Sequence, residues 1–255
     1  MAGYRRSIRL LRSATAGLVG VTLALAGSTT AAQGTPQEGK GPKTRVDPKI
    51  NDQFQKPGHA KGFIERFESH DREVFAKRDA IVASLGLKPG MAVADVGAGS
   101  GLFTRLFAEK VGPEGRVFAV DVSKEFLRHI AAESEKNGRK QVKTVLGSQD
   151  STNLEANSVD LVFLSDVYHH FEDHEKMLAS IRQALRPGGT LILIEFDRVE
   201  GKSSEFVLKH VRAGQAEFLR EIEAAGFTLD AKGARPQLVE NFFARFHKPD
   251  APVAP

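Results

Sequence analysis

The 255-residue chain has no cysteine and no tryptophan, and only two tyrosines. Without cysteine there is no disulfide framework, no thiolate metal site, no cysteine nucleophile and no redox dithiol. So few large polar aromatics also argue against a surface built for stacking sugars or bases. A charge of one sign is missing from the body of the chain too. The formal net charge is +4, but Arg5, Arg6, Arg9 and Arg12 lie in the first 32 residues, where there is no acid. Taking these four from the 36 basic residues leaves 32 against 32 acidic ones. The basic pI therefore belongs to the leading segment and gives no reason to expect nucleic acid as a partner.

What is present at the N-terminus reads as an export signal, removed on maturation. Arg5 to Arg12 form a cationic region, Ala14 to Ala26 an uncharged run of 13 residues, and Ala24-Leu25-Ala26 or Thr30-Ala31-Ala32 a small-residue cleavage site. The run is short for a bilayer span, which takes about 20 apolar residues. The other readings are an uncleaved anchor and a buried helix. No cysteine follows Leu25-Ala26-Gly27-Ser28 to carry a lipid, and Arg5-Arg6 loosely resembles a twin-arginine signal. The expected organisation is a signal peptide over 1–32, a polar linker over 33–57, one domain over 58–248 and a tail over 249–255. The mature protein is expected in the periplasm, without a membrane anchor.

Within the domain, helical and strand patterns alternate. Helices are expected at Arg72–Leu85, Leu102–Val111, after the N-cap Ser123, at Asp173–Leu185 and at Gln215–Ala225. Strands are expected at Met91–Val96, Arg116–Val120, Val142–Leu146, Val159–Leu164, Thr190–Phe196, Phe227–Leu229 and Phe242–Phe246. Thr190–Phe196, the most apolar, is expected at the centre. Such alternation implies an α/β fold, a mainly parallel sheet with helices on both faces, since parallel strands need crossovers. Ligands of such sheets sit beyond the carboxyl ends of the strands.

The chemistry-bearing residues fall at those ends. Asp95-Val96-Gly97-Ala98-Gly99-Ser100-Gly101 is a glycine-rich turn from strand to helix, able to bring backbone N–H groups close to a ligand. Its Gly-x-Gly-x-Gly spacing, with Leu102 beyond, departs from the Gly-x-Gly-x-x-Gly of dinucleotide sites, which disfavours a nicotinamide-dependent oxidoreductase. Asp121 ends the second strand, where a carboxylate either caps the turn or accepts the hydroxyls of a ribose. Asp150-Ser151 follow the third strand, and Ser165-Asp166-Val167-Tyr168-His169-His170-Phe171 end the fourth.

These residues resemble a class I S-adenosylmethionine-dependent methyltransferase, in the group of ubiquinone/menaquinone-type and related small-molecule methyltransferases. The resemblance spans roughly Arg72 to Phe246. It rests on the Asp95–Gly101 loop, Asp121, Asp150 and the helix end Leu185-Arg186-Pro187-Gly188-Gly189 before an apolar strand. It implies a Rossmann-like, seven-stranded, doubly wound sheet with an antiparallel last strand, expected at Phe242–Phe246. It also implies S-adenosylmethionine as cofactor and a small organic molecule as methyl acceptor. Gly97, Ala98, Gly99, Ser100 and Gly101 would line the methionyl part, and Asp95 would support the loop or bind the cofactor's amino group. Asp121 with Val122 would hold the ribose, Asp150 and Ser151 the adenine, and Ser165 would flank the sulfonium.

Methyl transfer from a sulfonium is an in-line displacement, so positioning supplies much of the rate. A base is needed only where the acceptor must lose a proton. Tyr168 and His169 are the candidate catalytic groups, and His170 and Arg212 the candidate substrate contacts. Phe63 to Arg72 is either a lid over the cofactor or a solvated amphipathic helix. No metal is expected, since adjacent histidines on a strand or turn point apart. The absence of cysteine disfavours arsenite methylation. The rival to an enzyme is an exported protein that binds a nucleoside or S-adenosylmethionine without turnover.

Overall fold

The computed structural model describes residue 46, residues 49–54 and residues 56–250. The segment read as an export signal and the end of the tail lie outside the described residues. Seven strands form one sheet: β1 (Ala92–Val96), β2 (Arg116–Asp121), β3 (Val142–Leu146), β4 (Val159–Ser165), β5 (Leu185–Phe196), β6 (Thr228–Leu229) and β7 (Asn241–His247). Their order is β3-β2-β1-β4-β5-β7-β6. β1 to β5 run parallel, and β7 inserts antiparallel between β5 and β6. The α/β class, the parallel body and the antiparallel last strand agree with the sequence expectation. The apolar Thr190–Phe196 run is interior, but β4 occupies the middle of the sheet.

The strands form because their side chains are buried on both faces. Every residue of β1 is buried, as are Leu191 to Ile194 in β5, which is the continuous apolar pattern of a covered parallel sheet. One layer packs Phe103 and Phe107 of α4 (Leu102–Val111) on Phe163, with Ile81 and Val82 of α3 (Arg78–Ser84) beside them. The other packs Leu178 and Ile181 of α6 (His174–Ala184) and Phe218 and Ile222 of α8 (Gln215–Ala224) under Val162 and Leu164. α5 (Lys124–Lys136) is capped as expected, Ser123 Oγ accepting from Phe126 N, and Asp173 caps α6 in the same way.

Two expectations change. The helix expected over Arg72–Leu85 divides at Lys77 into α2 (Glu73–Ala76) and α3. Its first residues are held by tertiary contacts, Arg72 on Asp166 and Glu73 on the backbone N–H groups of Val239, Glu240 and Asn241. Such contacts override periodicity. In the stretch read as linker, Asp52–Phe54 form a 3-10 turn and Asn51 is buried. Asn51 Nδ2 donates to Gln149 Oε1, to the carbonyl of His170 and to Glu172 Oε1. The solvated character expected there does not extend to these residues.

Candidate functional site

The carboxyl ends of β1, β2 and β4 open into a crevice. Its floor is the loop after β1. Gly97 and Gly99 both have positive φ (75° and 53°), a region L-residues seldom enter. A Cβ at Gly97 would lie 2.4 Å from Val167 Cγ2, and one at Gly99 would lie 3.1 Å from the Phe67 ring. The loop is therefore glycine for two reasons, backbone sign and space.

Asp95, Gly97, Ala98, Gly99, Ser100, Asp121, Val122, Ser151 and Ser165 all line the crevice, as does His170. Two expected members do not. Gly101, at φ 76°, is the left-handed N-cap of α4, and a Cβ there would meet Ile130 Cγ1 at 2.8 Å. Its role is to let α4 approach α5. Asp150 turns away and accepts from Ser148 Oγ at 2.7 Å, while Ser148 and Gln149 take the place expected for it in the wall.

The two acids at the strand ends differ. Asp121 accepts from Gly99 N at 2.9 Å and from Ser123 N at 2.8 Å, so one carboxylate ties the glycine loop to the start of α5. Burial raises its pKa against these backbone bonds. Asp95 accepts from Thr104 Oγ1 at 2.6 Å, and burial pushes its carboxyl up to about 7.

A further acid lies in the polar run singled out after the fourth strand, without a role assigned to it from sequence. Asp166, immediately after β4, has φ 51° and is bound by Arg72 Nη2 at 2.5 Å and Asn241 Nδ2 at 2.6 Å. Burial moves it up to about 6. Phe54, Phe126, Gln149 and Val167 also complete the crevice without having been assigned to it from sequence, and Phe67 and Arg72, from the segment offered as a lid, line it as well. α1 (His59–Phe67) is seated by Glu125, which accepts from Gly58 N at 2.8 Å and Ala60 N at 3.3 Å. Glu68, just beyond it, forms a two-pronged pair with Arg105.

A second, wider cavity adjoins the crevice, sharing Phe54, Phe67, Arg72, Asp166 and His170 with it. His169, Phe63, Phe196, Phe206 and His210 add to its wall. His169 is 1% exposed and its Nδ1 lies 2.9 Å from both oxygens of Glu195, which is 0% exposed. Glu195 also accepts from His169 N and from Phe196 N. Glu195 was missed although its signal was plain: it is the only charged residue in Leu191-Ile192-Leu193-Ile194-Glu195-Phe196. His170 Nδ1 faces Asn51 Oδ1 at 3.1 Å, and burial depresses its pKa to about 2.

Tyr168 and Arg212 are corrected. Tyr168 lines neither cavity; it is fully buried and its hydroxyl donates to Glu221 Oε2 at 2.9 Å. Burial and the neighbouring Glu221 raise its pKa, so it holds its proton. Arg212 forms a buried two-pronged pair with the same Glu221, 2.7 and 2.5 Å long, and lies 4.7 Å over the Phe218 ring. Burial would raise the Glu221 carboxyl, but Arg212 holds it below its usual range. Tyr168 joins α8 to the turn after β4, Arg212 joins it to the segment before α8, and neither lines the two cavities.

With the crevice described, its relatives can be set beside it. Residues 94–193 match a family model described as a methyltransferase domain. Over 130 residues the chain is 35% identical to the ubiquinone/menaquinone biosynthesis C-methyltransferase UbiE of Hydrogenovibrio crunogenus, a match covering 48% of each chain. It is 32% identical over 162 residues to phosphoethanolamine N-methyltransferase 2 of Caenorhabditis elegans, covering 62% of this chain and 36% of that one. The match thus spans about half the length of the UbiE protein and less of the other. Among solved structures, a SAM-dependent methyltransferase from Aquifex aeolicus superposes with a TM-score of 0.62 at 24% identity, over 72% of this chain and 96% of its own. The fold is the seven-stranded Rossmann-like one. The part of the chain from β1 into β5 is thus similar to methyltransferase domains.

Proposed function

We propose that the protein is an exported S-adenosylmethionine-dependent methyltransferase whose acceptor is a small organic molecule. The observation that carries this reading is the crevice at the ends of β1 and β2. There Gly97 and Gly99 leave room no Cβ could share, and Asp121 stands beside them with a buried carboxylate. This suits the cofactor: acceptor oxygens at Asp121 for ribose hydroxyls, a narrow glycine floor for the methionyl chain, and Ser148, Gln149 and Ser151 for the adenine edge. Bound there, the cofactor supplies a methyl group already activated by the sulfonium.

The chain's residues then have three tasks. Phe54, Phe67 and Phe126 cover the crevice and exclude water. The second cavity, with its phenylalanine walls, receives and orients the acceptor, and orientation is the larger part of the rate in such a displacement. The His169 imidazole, held by Glu195, is placed on the acceptor side of the crevice and not the cofactor side.

Calorimetric titration with S-adenosylhomocysteine and transfer from methyl-labelled S-adenosylmethionine test the reading. Binding with transfer to a small molecule from extracts supports it. Binding without transfer to any candidate favours a binding protein, and absence of binding overturns both. Export belongs to the same proposal, supported by the cationic and apolar pattern of the first 32 residues. Among the described residues no helix is long and apolar enough to cross a membrane. A reporter fused to residues 1–35 should reach the periplasm. If its export is unchanged by Arg5→Lys with Arg6→Lys, the route is not the twin-arginine one.

A further inference from the structure

Three imidazoles converge at the wall between the two cavities. His169 and His170 lie on the 3-10 turn Tyr168–His170 that follows β4, and His210 ends α7 (Glu205–His210). The turn, unlike an extended strand, brings the adjacent rings to one side, with centroids 4.2 Å apart. The His210 ring stands 4.9 Å from His169 and 5.2 Å from His170. One ring nitrogen from each lies within 4.8 Å of the others.

The hydrogen bonds fix which nitrogens are on offer. Glu195 takes both its contacts from His169 Nδ1, so that nitrogen carries the proton and Nε2 presents a lone pair. This Nε2 is buried and has no hydrogen-bond partner among the described residues. An orphaned polar atom in a side chain 1% exposed calls for a partner. Asn51 Nδ2 donates to three acceptors, which leaves its Oδ1 to accept from His170 Nδ1. The Nε2 of His170 is thereby also left with a lone pair. A carboxylate oxygen behind His169 and an amide oxygen behind His170 are the second layer of support found at metal-binding histidines.

We propose that His169, His170 and His210 form a binding site for one divalent transition-metal ion of the zinc type, with its fourth position open to the second cavity. Three neutral nitrogens plus an open position is the donor set of catalytic zinc. Zn–N bonds of about 2.0–2.1 Å place tetrahedral ligand nitrogens about 3.4 Å apart. Closing to that distance from the present spread is within reach of His210, which is only partly buried at the end of a six-residue helix. The Glu195 carboxylate offsets part of the charge the ion would bring. The site goes beyond methyl transfer and does not depend on it.

The test uses the full chain without a histidine tag, stripped with chelator and titrated with Co²⁺. The expected result is one Co²⁺ per chain, with the visible absorption of a four-coordinate nitrogen-rich site, displaced by Zn²⁺. His210→Ala and His170→Ala should each weaken binding at least tenfold, and Glu195→Gln by about 10- to 100-fold through its support of His169. Thermal unfolding and S-adenosylhomocysteine affinity of each variant report whether fold and crevice survive, and so separate this outcome from a failure of the methyltransferase reading. Absence of Co²⁺ binding, or equal affinity in wild type and both histidine variants, overturns the site.

Discussion

Asp121→Ala separates what the carboxylate does for the fold from what it does for a ligand. In the structure it accepts from two backbone donors, Gly99 N and Ser123 N, at 2.9 and 2.8 Å. Truncation leaves both without their acceptor, at about 1–3 kcal/mol for each buried donor. Because Asp121 lines the crevice, water can reach part of the gap, which puts the net loss near the low end, about 2–3 kcal/mol. The variant also ceases to bury an acid whose pKa burial has raised, a partial offset. Against a domain stability of about 5–15 kcal/mol, the protein should still fold. Ligand affinity should fall independently. Hydrogen bonds to a charged group are worth about 1.5–3 kcal/mol, so S-adenosylhomocysteine should bind about 10- to 150-fold more weakly. Urea unfolding followed by circular dichroism gives the first quantity and calorimetric titration of the folded variant the second. A folded variant with wild-type affinity would falsify the ribose role of Asp121, and wild-type stability would refute its role in tying the loop.

Three further perturbations have defined outcomes. Gly97→Ala adds a methyl 2.4 Å from Val167 Cγ2 and 2.9 Å from Val167 Cβ, at φ 75°; left-handed strain of about 1–2 kcal/mol and overpacking of about 1–3 kcal/mol should lower the urea midpoint by the equivalent of about 2–5 kcal/mol. A midpoint like that of wild type would mean the loop is not held as described. Arg212→Ala leaves Glu221 buried without its guanidinium and should cost about 3–5 kcal/mol, while the folded variant binds S-adenosylhomocysteine as wild type does. A stable variant with impaired substrate use would restore Arg212 to the site. Asp95→Asn probes pH. An acid raised from 3.8 to about 7 contributes stability present below about pH 4 and lost as pH rises to about 7. Relative to the asparagine variant, wild type should therefore lose about 4 kcal/mol over the whole range, of which about 2.6 kcal/mol falls between urea midpoints read at pH 5 and pH 8. A difference independent of pH would show that Asp95 is not buried as an acid.

The sheet was legible because its strands are short apolar runs separated by helical periodicity, and the glycine loop because its spacing is local. The same locality explains the errors. Gly101 belongs to the loop in sequence, yet its constraint comes from Ile130 in the next helix. Tyr168 and Arg212 carry groups suited to catalysis, but both are committed to Glu221, a partner no spacing rule connects to them. Asn51 was passed over, and Asp166 was named without a role, because their importance lies in contacts 75 or more residues away. The histidines were expected to point apart on a strand or turn, whereas the 3-10 turn holds their ring centroids 4.2 Å apart. Glu195 alone was readable in place, a charge inside an apolar strand.

The reach of Asn51 has a practical consequence for how the molecule tolerates trimming. Its amide joins Gln149, His170 and Glu172, so a cut a few positions beyond it removes a supporting strut from beneath His170. Limited digestion should accordingly yield a durable fragment starting ahead of this asparagine. Shorter recombinant pieces, begun at the first long helix, should be recovered with a slackened ligand chamber.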